Sequence, residues 1–332
     1  MYRKIMGFLE AWKESKHRKP LILQGARQVG KTYSILEFGR THYENVAYFN
    51  FETNPKLNET FEENISPDYL IPILSHIAGQ TIVTEKTLIV FDEVQLCERA
   101  LTSLKYFCEN APDYHIIVAG SLLGVAVNRA KFSFPVGKVD MKTLYPMDME
   151  EFMLALGEDD LVEQIKKCFQ TDTPLPSALH DAAMQLYRQY LVVGGMPECV
   201  MQFAETKDYI LVRHTQDTIL ASYLNDMSKY NNLNEIKKTR LAYDNITVQL
   251  SKKNTRFQYK LIKKGGRASE FENAIEWLCL SGIVSQVYKV EQIKKPLENY
   301  RDIDAFKIYV SDLGLLCAKK DLAANDILYM VE

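Results

Sequence analysis

The sequence predicts an α/β fold, in which helices flank a parallel five-stranded sheet and a helical lid and a winged helix follow. Three observations support this expectation. An apolar strand runs directly into a glycine-rich loop and a helix over residues 21–39. Residues 87–93 and 115–121 form continuous apolar runs, which are typical of strands buried on both faces. Strand-like and helical segments alternate over residues 21–145, which favours parallel strands.

The elements of the first domain follow from apolar periodicity and from turn residues. Apolar residues recur at helical spacing over residues 2–15. The further predicted strands are residues 45–51, 87–93, 115–121 and 137–145, and the further predicted helices are residues 54–64, 68–79 and 99–110. These elements predict a first domain over residues 1–146.

Helical periodicity dominates the rest of the chain. The helical segments are residues 148–232, 233–252 and 269–281, and two strand-like segments, residues 282–289 and 305–310, come last. Helices followed by a β-hairpin are typical of a winged helix. We therefore expect a helical lid over residues 147–232 and a winged-helix-like domain over residues 233–332.

Length and composition are those of a globular protein with more than one domain. The 332 residues are 47% hydrophobic, 11% aromatic and 25% charged, which fits two or three folded domains. The net charge of -3 is too small to indicate a nucleic-acid or membrane partner by itself. The six cysteines include no C-x-x-C pair, and no apolar run reaches the length of a membrane span. We expect a soluble cytoplasmic protein without a membrane partner.

The glycine-rich loop has the pattern of a phosphate-binding P-loop. Its residues are Gly25, Ala26, Arg27, Gln28, Val29, Gly30, Lys31 and Thr32. The glycines let the backbone wrap a polyphosphate with its N–H groups inward, and the following helix directs its positive end at the anion. Lys31 can reach the β- and γ-phosphates, and the Thr32 hydroxyl can bind Mg²⁺. The sequence therefore predicts that this loop binds nucleotide and that Lys31 is also catalytic.

Two carboxylates end the apolar strand at residues 87–93. Ligands of parallel sheets bind at the carboxyl ends of strands, so Asp92 is predicted to hold Mg²⁺ through water, together with Thr32. Glu93 is predicted to polarise the attacking water, which favours ATP hydrolysis over passive binding. The alternative is that Asp92 and Glu93 cap the next helix.

Two further polar residues lie at or near the ends of predicted strands. Ser121 follows an apolar strand and is placed to sense the γ-phosphate or the water. Asn50 lies in the second strand and can hydrogen-bond Glu93, holding it away from the water until a partner arrives. The alternative for Ser121 and Asn50 is capping of a helix or a turn.

Several motifs together resemble prokaryotic AAA-type ATPases. The motifs are the P-loop and residues 92–95, 119–121, 144–152 and 190–197, and residues 277–284 and 307–316 are similar to a conserved C-terminal region of unassigned function. The resemblance is to the AAA family 14 core with the domain of unknown function numbered 4143. It implies a five-stranded ATPase core, a lid, a winged helix, a sensor role for Ser121 and a switch role for Asn50.

The chain departs from that resemblance in two places. Relatives usually have Gly-Arg where this chain has Gly137 and Lys138, so an arginine finger would be replaced by a point charge. Arg129 is the other candidate finger, and either residue can instead be a solvated surface residue. Relatives also often continue into a nuclease-like domain, which is expected to have been truncated or to be absent after Glu332.

A turn with the sequence Gly-Gly-Met-Pro interrupts the predicted lid at residues 194–197. Its simplest interpretation is a helix C-cap followed by a helix breaker. In related signalling ATPases, a similar turn brings proline against the adenine ring. Pro197 is therefore a candidate adenine contact.

Residues 252–267 contain seven basic residues, from Lys252 to Arg267, and no acidic one. If the following helix enters a major groove, these charges can meet the phosphates of double-stranded DNA, and Phe257 and Tyr259 can pack or stack. The alternatives are a solvated surface and a docking surface for the acidic residues 158–160.

Three functions are compatible with these motifs. The first is Mg²⁺-dependent binding and hydrolysis of ATP, by an enzyme whose turnover moves the lid and the winged helix, with DNA as a candidate partner. The second is a DNA-binding regulator or signalling switch that is gated by ATP or ADP and hardly hydrolyses. The third is a homo-oligomeric motor or nuclease loader, since a neighbouring subunit often supplies the arginine finger.

Overall fold

The computed structural model describes residues 1–120, 134–229, 233–252 and 256–329. Two compact units divide the chain. The first comprises Arg3–Tyr145, and the second comprises Pro146–Glu332 together with Met1–Tyr2. Ser121 and Arg129 lie outside the described residues. In the described part of the chain, no helix is long and apolar enough to cross a membrane.

The first unit contains the predicted parallel sheet. Its strands are β1 (Leu21–Gln24), β2 (Asn45–Asn50), β3 (Thr87–Asp92), β4 (His115–Ala119) and β5 (Asp140–Thr143), and its described helices are α1 (Ile5–Lys13), α2 (Lys31–His42), α3 (Leu57–Glu63), α4 (Pro67–Ala78) and α5 (Glu98–Asn110). The five strands lie in the order β2-β3-β4-β1-β5, and every pair is parallel. The expectation of a five-stranded parallel sheet flanked by helices is confirmed.

Burial explains the apolar runs of the central strands. Every residue of β3 and of β4 is buried, because helices pack against both faces of a parallel sheet. β5 is an edge strand with partly exposed residues, and it covers only four of the residues predicted at 137–145. The carboxyl ends of β1, β3 and β4 meet at one edge of the sheet, which is where such folds bind ligands.

A buried histidine lies at the opposite edge of this sheet. His115 begins β4, and its Nδ1 lies 2.7 Å from the Tyr43 hydroxyl. The Trp12 ring packs edge-on against the imidazole, with ring centroids 6.0 Å apart. Burial lowers the pKa of His115 to about 4, and the positive charges of Arg18 and Lys13 act in the same direction. His115 is therefore neutral in the folded unit at neutral pH.

Lowering the pH is expected to destabilise the first unit through His115. When the chain unfolds, the pKa of this histidine returns to about 6.5, so between pH 6.5 and pH 4 the unfolded chain binds a proton that the folded unit excludes. The free energy of unfolding should therefore fall by about 1–1.5 kcal/mol between pH 7.5 and pH 5.5. Urea unfolding followed by tryptophan fluorescence measures this change.

The chain has two tryptophans, so a Trp277→Phe background leaves Trp12, the neighbour of His115, as the only reporter. His115→Gln in that background keeps a hydrogen-bonding side chain but does not titrate. Its unfolding free energy should depend less on pH over the same range. The same pH dependence in both proteins would show that His115 is not responsible.

In its described residues, the second unit is mainly helical and contains one β-hairpin. Its helices are α6 (Met149–Ala155), α7 (Asp159–Gln170), α8 (Ser177–Val193), α9 (Pro197–Thr206), α10 (Tyr209–Lys229), α11 (Leu233–Leu250), α12 (Ala268–Leu280), α13 (Leu313–Lys319) and α14 (Ala324–Leu328), and its strands are β6 (Val284–Val290) and β7 (Arg301–Val310). β6 and β7 are antiparallel. The predicted hairpin after α12 is present, but a winged-helix domain is not confirmed. The division into a lid and a winged helix stays a prediction.

The Gly194 turn, residues 194–197, is built against the start of α13. The Asp312 carboxylate accepts a hydrogen bond from Gly195 N at 2.6 Å and one from Leu315 N at 2.8 Å. Gly195 also accepts a bond from Met147 N at 2.7 Å. Burial raises the pKa of Asp312 to about 6, although backbone N–H groups donate to its carboxylate. The turn therefore joins three segments that are distant in sequence.

Glycine is required at this turn because there is no room for a side chain. A Cβ on Gly194 would lie 2.3 Å from an Asp312 oxygen, and one on Gly195 would lie 2.0 Å from the Met147 carbonyl oxygen. On the other side, a Cβ on Gly314 would lie 2.3 Å from the Val193 carbonyl oxygen. The predicted helix C-cap and breaker are present, since α8 ends at Val193 and Pro197 is the first residue of α9.

Candidate active site

The P-loop connects β1 to α2 with three residues in left-handed or glycine-type conformations. Gly25 has φ +150°, and a Cβ there would lie 2.2 Å from the Leu144 carbonyl oxygen. Gln28 has φ 65° and Gly30 has φ 87°. These values curl the chain back so that α2 begins at Lys31. The loop therefore has the tight backbone path that the glycines predicted.

Arg3 supports the loop from the N-terminal segment. Its guanidinium is buried and donates hydrogen bonds to the Val29 carbonyl at 2.9 Å and to the Tyr145 carbonyl at 2.8 Å. Sequence reasoning missed this residue, because a single arginine near the N-terminus carries no signal of a contact 26 residues away. Arg3 fixes the outer side of the loop and adds a positive charge beside it.

Lys31 is almost completely buried inside the loop. Its ammonium group donates hydrogen bonds to the carbonyl oxygens of Gly25 and Ala26, both at 2.8 Å. Burial lowers the pKa of Lys31 to about 8, and the carboxylates of Glu93 and Asp92 oppose that shift. Lys31 therefore keeps most of its positive charge at neutral pH, in the position predicted for a phosphate contact.

Asp92 and Thr32 are in direct contact at the carboxyl end of β3. The Thr32 hydroxyl donates to Asp92 Oδ2 at 2.8 Å, and the Tyr48 hydroxyl donates to the same oxygen at 2.8 Å. Burial raises the pKa of Tyr48 to about 12, so this hydroxyl remains a donor. Sequence reasoning missed Tyr48, although strand alternation places it on the same face of β2 as Asn50.

Glu93 follows Asp92 in a left-handed conformation with φ 52°. Its carboxylate accepts a hydrogen bond from the Gln95 side-chain amide. Burial raises the pKa of Glu93, and the bond from Gln95 opposes that shift. Glu93 therefore lies beside Asp92, as predicted, with an amide partner that sequence reasoning did not identify.

Asn50 lies beside Asp92 in the register of β2 and β3. Its Nδ2 donates to the Tyr48 hydroxyl at 3.2 Å, and its Oδ1 accepts from the backbone N–H groups of Glu52 and Thr53 at 2.9 Å. The amide that contacts Glu93 in the structure is therefore that of Gln95. A switch role for Asn50 stays a prediction.

The chemistry of the donor set fits a magnesium ion. A threonine hydroxyl and a carboxylate are hard oxygen donors, and Mg²⁺ is usually held by one or two such groups together with water and substrate phosphates. Among the described residues, no group of three or more histidine, cysteine, aspartate or glutamate side chains forms a metal site. Thr32 and Asp92 match an ion that takes its remaining ligands from phosphate and water.

The candidate finger Lys138 lies in the first unit, and the candidate adenine contact Pro197 lies in the second. Lys138 precedes β5, and its ammonium group lies 2.9 Å from the Glu109 carboxylate near the end of α5. That position is at the amino end of the parallel strands, away from the P-loop, so Lys138 does not reach the phosphate site of its own chain. Pro197 begins α9 in the second unit, and its contact with adenine stays a prediction.

The basic residues 252–267 precede α12 in the second unit. Phe257 is buried, and its ring stacks on Phe306 with centroids 5.6 Å apart, so it packs in the interior. The described basic side chains are exposed: they are Lys252, Arg256, Lys260, Lys263, Lys264 and Arg267. The outer face of α12 carries Glu270, Glu272 and Glu276. Among the residues that the structure describes, only Glu270 of these three is ion-paired, to Lys263 at 3.1 Å. An acidic face disfavours α12 as the helix that enters a DNA groove.

Family models match most of the chain in two parts. Residues 17–153 match the model described as an AAA domain. Residues 184–326 match a model described as a domain of unknown function, DUF8612. The predicted resemblance to the AAA family is confirmed, and the predicted identity of the C-terminal region with the domain numbered 4143 is not. None of the curated proteins matches the sequence.

Solved structures are similar to this chain at low sequence identity, and the first of the three named here shares its fold. A Walker-type ATPase of Pyrococcus abyssi has a TM-score of 0.58 at 13% identity, over 96% of this chain and 95% of that chain. The ORC2 protein of Aeropyrum pernix has a TM-score of 0.46 at 12% identity, over 98% and 94% of the two chains. The RuvB branch-migration motor of Thermotoga maritima has a TM-score of 0.35 at 14% identity, over 85% and 87%.

The sheet order, the P-loop and the family match agree with one another. Residues 17–153 therefore match an AAA domain and carry its P-loop and parallel sheet, and residues 184–326 match a domain of unknown function.

Proposed function

We propose that the first unit binds ATP with Mg²⁺ and hydrolyses it. The observation that carries this proposal is the contact between Thr32 and Asp92, 2.8 Å apart, at the edge of the sheet that also presents Lys31 and Glu93. Four groups with different roles in phosphoryl transfer thus share one site. A passive anion site would need the loop and Lys31 but not Glu93.

The loop and Lys31 bind the polyphosphate. Lys31 now donates to two neutral carbonyl oxygens, and anionic phosphate oxygens are stronger acceptors for the same ammonium group. Thr32 and Asp92 would hold the magnesium ion. When bound, that ion supplies positive charge that offsets the negative charge of the phosphate oxygens. Tyr48 holds Asp92 in position through its hydrogen bond.

Glu93 accepts the proton of the attacking water. Burial raises the pKa of its carboxyl group above that of a solvated glutamate, which makes the carboxylate a stronger base. Ser121 is proposed to read the γ-phosphate and Asn50 to act as a switch. Turnover of ATP is proposed to move the helical part and the hairpin of the second unit.

Lys31→Ala is expected to abolish most nucleotide binding, because it removes two charge-assisted hydrogen bonds to phosphate. Affinity for ATP should fall at least about 100-fold, and steady-state hydrolysis should fall with it. Titration with a fluorescent ATP analogue, once with Mg²⁺ and once with a chelator, measures the affinity and its dependence on Mg²⁺. Phosphate release measures steady-state hydrolysis. Binding of ATP by Lys31→Ala as tight as by the parent protein would refute the assigned role.

Lys86→Ala is the matched control for this experiment. Lys86 is an exposed lysine of the same unit that precedes β3, at the edge of the sheet away from the loop, and it pairs with Glu44 at 2.8 Å. Its removal should leave nucleotide affinity unchanged. Thermal unfolding of both variants separates loss of binding from loss of fold.

The alternative function is a DNA-binding switch that is gated by ATP or ADP and hydrolyses slowly. The exposure of the basic side chains among residues 252–267 favours it, whereas the acidic face of α12 restricts contact to the basic segment itself. Binding to duplex DNA without nucleotide, weakening steeply with salt, together with hydrolysis unaffected by DNA, would favour this alternative over the first.

A further inference from the structure

We infer that Gln95 is a positioning residue that holds the Glu93 carboxylate for activation of the attacking water. This inference rests on the proposed ATPase function, because it concerns the same site. It begins from the side-chain hydrogen bond in which Gln95 Nε2 donates to Glu93 Oε2.

The backbone fixes both residues in one short turn. Glu93 begins a single 3-10 turn, Val94–Leu96, in which Leu96 N donates to the Glu93 carbonyl at 3.0 Å and Cys97 N donates to the Val94 carbonyl at 2.9 Å. Val94 is completely buried and anchors this turn in the core. Gln95 and Glu93 are therefore held at a constant separation, and their side chains meet without reaching across the site.

Glu93 receives no other side-chain hydrogen bond from the part of the chain that the structure describes. Asn50 is engaged elsewhere, since its amide bonds to Tyr48 and to the backbone of Glu52 and Thr53. The bond from Gln95 occupies Glu93 Oε2 and leaves Oε1 for a water molecule. Without this bond, a half-buried glutamate side chain would be free to rotate away from that position.

The second atom of the Gln95 amide completes the arrangement. Gln95 Oε1 is buried and has no hydrogen-bond partner among the described residues. The oxygen and nitrogen of one amide are only about 2.2 Å apart, so this acceptor lies beside the Glu93 carboxylate. Because Oε1 is closed off from solvent, the amide is held in the turn with its Nε2 directed at Glu93.

The proposed step transfers one proton and exchanges one bond. The water O–H bond facing Glu93 breaks, and its proton goes to the carboxylate. The water oxygen bonds to the γ-phosphorus, and the bond from that phosphorus to the ADP oxygen breaks. Gln95 orients the carboxylate, and it neither gains nor loses a proton.

Gln95→Met tests the inference, because methionine keeps the length of the side chain but removes both polar atoms of the amide, Nε2 and Oε1. The expected result is a fall in kcat of about 10- to 100-fold, the worth of one hydrogen bond to a charged group, with nucleotide affinity changed less than about 2-fold. Gln80→Met is the matched control, since Gln80 is also half-buried and uses its amide for one bond, to the Val46 carbonyl at 2.7 Å. An unchanged kcat in Gln95→Met would overturn the inference.

A double-mutant cycle separates positioning from a structural role. If Gln95 acts through Glu93, then Gln95→Met should lower kcat in the parent and have no further effect in a Glu93→Gln background. Effects that multiply in the double variant would overturn the inference. If Glu93→Gln itself leaves kcat unchanged, the proposed base assignment fails, whereas an effect of Glu93→Gln without one of Gln95→Met refutes only the role of Gln95.

Discussion

Glu93→Gln is expected to lower kcat for ATP hydrolysis by about 10²–10⁴-fold while ATP binding is retained. Glutamine has the shape of glutamate, so the turn that begins at Glu93 and the P-loop should be undisturbed. The amide cannot accept a proton from water, so the proton transfer that Glu93 provides is lost. Lys31, Thr32 and Asp92 remain in place to bind the nucleotide.

Steady-state phosphate release measures kcat, and binding of a fluorescent, non-hydrolysable ATP analogue measures whether ATP binding is retained. Glu52→Gln is the matched control, because Glu52 is an exposed acidic residue that also acts on the pKa of Glu93 through its charge. Its effect on kcat should be small. Equal turnover by Glu93→Gln and the parent protein would exclude Glu93 as the base.

Gly194→Ala is expected to unfold the second unit or to destabilise it by more than about 4 kcal/mol. Gly194 has φ 75° and ψ -166°, a region that essentially only glycine adopts. The added methyl group would also lie 2.7 Å from the Gly314 backbone nitrogen and 2.3 Å from an Asp312 oxygen. The backbone at Gly194 and the backbone at residues 312–314 cannot move apart without breaking the hydrogen bonds between Asp312 and the Gly194 turn.

Gly157→Ala is the matched control, since Gly157 has φ 82° but no atom within 4 Å of an added Cβ. It should cost only the conformational penalty of a left-handed residue, about 1–2 kcal/mol. Urea unfolding followed by Trp277 in a Trp12→Phe background reports on the second unit. Similar losses in Gly194→Ala and Gly157→Ala would mean that the close packing against Asp312 contributes nothing.

Local patterns predicted the elements of the first unit well. The continuous apolar runs of β3 and β4 are stable only when they are buried. The P-loop motif places glycine at positions 25 and 30, where the backbone has positive φ. Neighbours in sequence therefore predicted the strands, the loop and the acidic pair that ends β3. The boundaries of β5 were less predictable, because an edge strand is only partly buried and its pattern is weaker.

The partners of the site residues could not be predicted in the same way. Arg3 contacts Val29 and Tyr145 because folding brings three distant segments of the chain together. No spacing in the sequence predicts that contact. Asn50 was expected to contact Glu93, but the turn after β3 brings Gln95 to it instead. The choice between two amides depended on side-chain directions that strand assignment alone does not supply.

The sequence by itself determined that a P-loop precedes a helix and that a buried strand delivers two carboxylates, because these features depend on residues close together in the chain. The tertiary structure decided the order of the strands, the hydrogen bonds of Asp92 and Glu93, and the junction of Gly194 with Asp312. The contact between Gly195 and Asp312 joins residues 117 positions apart, and the energies of all these contacts depend on the position of each backbone in space.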